Sequence, residues 1–127
     1  MCNNIYYVTI GLLFIFIGLS FNAAYNRRKS GLAIGEGNNE KLIRAVRAHG
    51  NFSEFTPMFL ISLVIVDQLS KNCDYVACLG SIFILGRVSH AASMFLKKGI
   101  LRVVGMMMTM IPLVSNFAYL IILVFKF

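Results

Sequence analysis

The sequence predicts an all-α integral membrane protein, a four-helix up-down bundle, and three observations carry that prediction. The 127-residue chain is 58% hydrophobic and only 13% charged, with a mean hydropathy of +0.77. A soluble domain of this size has too little interior for so much apolar surface. Four apolar stretches recur along it, at residues 5–24, 55–66, 75–96 and 103–125. The connections at 26–39, 67–74 and 97–101 are polar and mostly short, which makes consecutive spans antiparallel neighbours.

The first stretch carries no charge and is long enough to cross about 30 Å of hydrocarbon. It lacks a basic leader and a small-x-small cleavage site, and it runs into Arg27-Arg28-Lys29. These flanks describe a retained anchor, not a cleaved signal peptide. Asn38 or Asn39 is suited to cap the second helix, with Glu40 in its first turn facing the positive helix end. Pro57 and Pro112 each remove one helix hydrogen bond, which membrane spans tolerate, and are expected to kink helices two and four. The expected helices are about 5–25, 40–69, 74–97 and 101–126, within one domain at 1–127. Gly80 and Gly86 allow close helix contact, although their spacing is not G-x-x-x-G.

Charge orients the bundle. Arg27, Arg28, Lys29, Lys41, Arg44 and Arg47 flank the first loop and Lys97, Lys98 and Arg102 the third, whereas the opposite side has Lys71 and Lys126. The positive-inside rule then makes loops one and three cytoplasmic and turns both termini outward. The net charge of +7 is mostly this topological signal and suits anionic headgroups. A basic face with aromatic platforms, as nucleic acid would need, is missing.

Few residues suggest metal or hydrolytic chemistry. Cys2, Cys73 and Cys78 are odd in number and make no close C-x-x-C pair, so neither a disulfide framework nor a zinc site is suggested. Cys73 and Cys78 read as small packing residues near the outer end of the third helix. His49 and His90 are too few for a transition-metal site, and no hydrolase or phosphate-loop motif occurs. The run Met106-Met107-Met108 with Met110 reads as adaptable packing.

The second helix holds the informative pattern. Its apolar run, 55–66, extends only about 18 Å, so a full span reaches back to Arg47. Asn51 then lies about 6 Å and Glu54 about 10 Å inside the interface. Arg44, Arg47, Asn51 and Glu54 stand at i, i+3, i+7 and i+10, on one helical stripe, with His49 on another face. In the third span His90 lies seven residues inward from Lys97 and Arg87 ten, at nearly the depth of Glu54. An unpaired charge at that depth costs a few kcal/mol. Arg87 or His90 is therefore expected to pair with Glu54.

A buried ion pair that merely fixes helix register is one reading of this cluster. Another is a pocket open to the cytoplasmic side, lined by Arg47, Asn51, Glu54, His90 and Arg102. Such a pocket suits a small ligand with carboxylates for the arginines and an ammonium for the glutamate. A small proton-coupled transporter working through Glu54 is a further alternative, although it would need an isolated acid reachable from both sides. A non-catalytic membrane scaffold is the third.

The run R-A-x-x-N-x-x-E-x-x-P at residues 47–57 resembles the hallmark of the MAPEG family, membrane-associated proteins in eicosanoid and glutathione metabolism. "GRVSHAA" at 86–92 and "LRVVGMMMT" at 101–109 resemble that family's third- and fourth-helix segments. The similarity covers nearly the whole chain and is strongest to the short bacterial members. It implies a homotrimer with glutathione held between subunits near the cytoplasmic face of a bacterial inner membrane. It implies a glutathione-dependent transferase or peroxidase acting on lipophilic electrophiles. By the same resemblance Arg47, Asn51, Glu54 and His90 bind glutathione, Arg87 supports the pocket, and Arg102 stabilises the thiolate; no metal is implied. A thiol with a pKa of about 8.5 is mostly protonated at neutral pH, and a guanidinium favours its thiolate. The chain also departs from the family pattern. Gly50 stands where prostaglandin-making members carry a ligand-binding arginine, Phe55 and Met94 replace tyrosines, and Tyr25 occupies a first-helix arginine position.

Overall fold

Four helices follow in chain order, α1 (Asn3–Ser30), α2 (Glu40–Ser70), α3 (Cys73–Leu96) and α4 (Gly99–Phe125), in a computed structural model that describes residues 2–125. The expected end of the last helix at 126 and the outer cation Lys126 lie outside the described residues. All four helices are long and apolar enough to cross a membrane.

The helix ends follow local chemistry. α1 runs five residues beyond its expected end, because nothing in Asn26 to Ser30 breaks a helix. It stops at Gly31, whose φ of 70° is left-handed and whose N–H reaches the Arg28 carbonyl at 3.3 Å. Arg27, Arg28 and Lys29 occupy that last turn, where cations complement the negative helix end. Of the two candidate caps for α2, Asn39 serves: its side-chain oxygen accepts the Leu42 N–H at 3.2 Å. Asn72 caps α3 in the same way, accepting the Tyr75 N–H at 3.1 Å. Both prolines lie inside continuous helices.

α2 and α3 form the centre of the bundle. Each touches the other and both flanking helices, whereas α1 and α4 do not meet. Phe59 and Phe83 stack across the α2–α3 seam with centroids 3.8 Å apart, among buried Leu12, Leu63 and Val76. The outer faces of α1 and α4 expose Ile10, Phe14, Phe21, Phe117 and Ile122. An aqueous solvent would penalise that surface, but hydrocarbon does not.

Glycines set how closely the helices approach. A Cβ on Gly80 would lie 2.2 Å from a Val8 methyl, so α1 seats against α3 there. Gly86 and Gly105 face each other where α3 crosses α4, and a Cβ on Gly105 would lie 2.6 Å from the His90 backbone nitrogen. At that crossing one backbone packs directly on the other.

The far end of the bundle corrects the reading of two groups. Cys2 and Cys73 form a disulfide, so Cys73 is not a free packing residue; Cys78 remains a free, exposed thiol. The pair is separated by 71 positions and becomes adjacent only because α1 and α3 begin at the same end. Asp67, expected in a polar loop, is wholly buried within α2. Its carboxylate accepts the Cys2 backbone N–H at 3.1 and 3.3 Å.

Candidate functional site

The polar stripe of α2 opens onto a cavity of about 300 Å³ between α2, α3 and α4. Arg47, Asn51 and Glu54 line it from α2, His90 from α3 and Arg102 from α4, with Val46, Gly50 and Met94 completing the wall. The 3.6-residue helical period puts the three α2 side chains on one side. The Gly86–Gly105 crossing brings the start of α4, and Arg102 with it, against His90. All five residues expected to line a common pocket are thus brought together. His90 is buried, while Arg47, Glu54 and Arg102 are exposed on the cavity's open side. Two guanidinium groups, one carboxylate, an imidazole and a carboxamide therefore share one chamber, which leaves it net positive.

Arg87 lies behind this wall and is only 2% exposed. Its Nη1 donates to the Asn51 side-chain oxygen at 2.7 Å, and its Nη2 donates to the Thr109 hydroxyl. The guanidinium also lies over the rings of Phe55 and Phe83, 5.5 and 5.7 Å from their centroids. The Thr109 hydroxyl in turn donates to the Gly105 carbonyl at 2.7 Å. One buried cation thus joins α2, α3 and α4 and holds Asn51 facing the chamber.

The expected ion pair with Glu54 is not formed. Arg87 takes neutral oxygens instead, and among the described residues no cation lies within ion-pair distance of Glu54. The geometric reason is direction: Glu54 points to the open side of the chamber, whereas Arg87 is buried behind its wall. Arg44 also leaves the stripe. It pairs with Glu40 at 2.6 Å and donates to the Met94 carbonyl at 3.3 Å, facing a neighbouring cleft. His49 keeps to its own face and packs against the Phe16 ring at 5.3 Å.

Thr109 was not singled out by sequence reasoning, although a signal for it existed. It is the one hydroxyl in the run M-M-M-T-M, seven residues or two helical turns from Arg102 and so on the same face of α4. Phe55, which stands where relatives of the resembled family carry tyrosine, serves here as a ring beneath Arg87. Among the described residues no three His, Cys, Asp or Glu side chains gather as a metal site.

Four membrane-length helices define a multi-pass membrane protein, and three of them enclose a charged chamber. The chain belongs to the MAPEG family, whose model matches residues 5–122. Membership relates it to the membrane proteins of glutathione and eicosanoid metabolism. No curated protein and no solved structure matches it.

Proposed function

We propose that this protein is a glutathione-dependent membrane transferase or peroxidase, with glutathione seated in the chamber between α2, α3 and α4. The observation that carries the reading is the convergence of Arg47, Asn51, Glu54, His90 and Arg102 on one cavity of about 300 Å³. Glutathione presents two carboxylates, an ammonium and a thiol. Arg47 with Asn51 and His90 supplies hydrogen bonds and positive charge for the first, and Glu54 an acceptor for the second. This role gives a cation to Glu54, which has no ion-pair partner among the described residues. Arg102 stabilises the thiolate once the thiol proton leaves for solvent.

In the transferase reaction the thiolate electron pair forms a C–S bond to an electrophilic carbon, and the leaving group departs with its own bonding pair. In the peroxidase reaction two glutathiones supply two electrons and two protons, so the hydroperoxide becomes an alcohol and water while glutathione disulfide forms. Lipophilic co-substrates reach the site laterally from the bilayer.

The exposure of Arg47, Glu54 and Arg102 also fits a homotrimer in which a neighbouring subunit closes the chamber. The basic residues at the chamber end support the assignment of loops one and three to the cytoplasm, and the bacterial inner membrane rests on the resemblance to short bacterial members. The Cys2–Cys73 disulfide at the opposite end fits an oxidising compartment. A proton-coupled transporter is disfavoured because Glu54 stands at one mouth among arginines.

The test is glutathione-dependent thermal stabilisation together with conjugation of an electrophilic dye. Stabilisation at millimolar glutathione, and conjugation lost in Arg102→Ala, are expected. No stabilisation, or undiminished conjugation by Arg102→Ala, overturns the reading.

A further inference from the structure

A pair of cavities opens on the α1 side of the bundle, the first of them sharing Met94 with the α2–α3–α4 chamber. Where α1 ends and α2 begins, Asn22 and Asn26, Glu40, Lys41 and Arg44, and Lys97 surround about 300 Å³. Adjoining it, an apolar groove of about 510 Å³ follows α1 past Phe14, Gly18 and Asn22, against Val88 and Ala91 of α3. The two cavities share Asn22 and Phe95 and so form one slot with a polar head and an apolar tail. The tail runs for about 12 Å along α1.

The head has hydrogen-bond capacity to spare. Asn22 Nδ2 and Arg44 Nε are both buried without an acceptor. The Asn22 side-chain oxygen is already engaged by Asn26 at 3.1 Å, so its N–H is what remains to offer. Buried donors are seldom left unmade, because the missing bond forfeits their lost hydration. Three cations line the head against the single carboxylate of Glu40. Its bridges to Arg44 and Lys97, at 2.6 and 2.8 Å, are solvent-exposed and therefore weak. A multi-oxygen anion on an apolar tail matches the donors, the charge and the groove together.

We infer that this slot binds an anionic glycerophospholipid. Its phosphate sits against Asn22, Lys41 and Arg44, and one acyl chain lies over Gly18 between α1 and α3. Basic clusters at the membrane edge attract such headgroups. The site is independent of the glutathione reading and stands whether or not that reading holds.

The test is native mass spectrometry of the intact protein released from bilayers of equal phosphatidylglycerol and phosphatidylethanolamine, with inorganic phosphate as a separate arm. Phosphatidylglycerol is expected to be retained about fivefold over phosphatidylethanolamine, and Arg44→Gln to lose about that factor, the worth of one surface cation. Gly18→Leu tests the tail. A Cβ at Gly18 meets nothing within 4 Å, so the position has room for a side chain that reaches into the groove. It is expected to retain several-fold less lipid with a melting midpoint at or above the parent's in lipid-free detergent, since leucine favours a helix over glycine. Equal retention of the two lipids, or full retention by Gly18→Leu, overturns the proposal. So does competition by inorganic phosphate alone at the same concentration, which marks an ion site, or cross-linking from position 18 to a second copy, which marks a subunit interface.

Discussion

Substituting Gly105 by alanine probes the crossing on which the chamber depends. The added Cβ would lie 2.6 Å from the His90 backbone nitrogen and 2.9 Å from both the Gly86 carbonyl oxygen and the His90 Cα. Ordinary contact begins near 3.4 Å, so α4 has to move about 0.8 Å from α3, and no flexible side-chain tip can yield in its place. Overpacking of this kind costs about 1–3 kcal/mol. Alanine also favours a helix over glycine by about 0.8–1 kcal/mol, which masks part of the cost. Gly18→Ala is the matched control, since it gains the same propensity in open space. The two variants should therefore differ by about 1–3 kcal/mol, or roughly 5–15 °C in melting midpoint for a chain of this size. Both midpoints are measured by size-exclusion chromatography after heating in one detergent. Because Arg102 lies one turn from Gly105, the displaced helix should also weaken glutathione-dependent stabilisation. A Gly105→Ala protein that melts with or above Gly18→Ala refutes the reasoning.

Three further outcomes are expected. Thr109→Val leaves Arg87 Nη2 buried without its acceptor and should cost about 1–3 kcal/mol, whereas Thr109→Ser should melt close to the parent; equal melting of the two variants contradicts the bridging role. Cys2→Ser removes a cross-link spanning 71 positions and should cost up to about 4 kcal/mol on loop entropy. Thiol labelling of Cys2 and Cys73 without reductant would show that the link is not made. Asp67→Leu strips the Cys2 N–H of its acceptor and should cost about 1–3 kcal/mol, with Asp67→Asn milder in the same melting assay; a Leu variant as stable as the parent would show the contact to be idle.

The fold was legible because the lipid environment imposes simple rules. Apolar length announced the spans, and short connections ordered them. The chamber was legible for a related reason: a strict helical period set Arg47, Asn51 and Glu54 in line, and depth counting brought His90 to their level. Depth, however, says nothing of which oxygen a buried guanidinium selects. Arg87 took Asn51 and Thr109 and not the expected Glu54. Arg44 shared the period of the stripe but lies beside the C-terminal carbonyls of α3, and the Met94 oxygen turned it aside. Asp67 and the Cys2–Cys73 pair could not be read in advance, because their meeting depends on two helix starts sharing one end of the bundle.

The guanidinium of Arg87 fastens one jaw of the chamber to the other. With α3 and α4 packed backbone to backbone at their glycines and α2 held through Asn51, the three helices are tied together at one depth. On the proposed reading, a ligand entering the chamber first meets the exposed side chains at its mouth, Arg47, Glu54 and Arg102. The tie lies deep, and the charge lies at the rim.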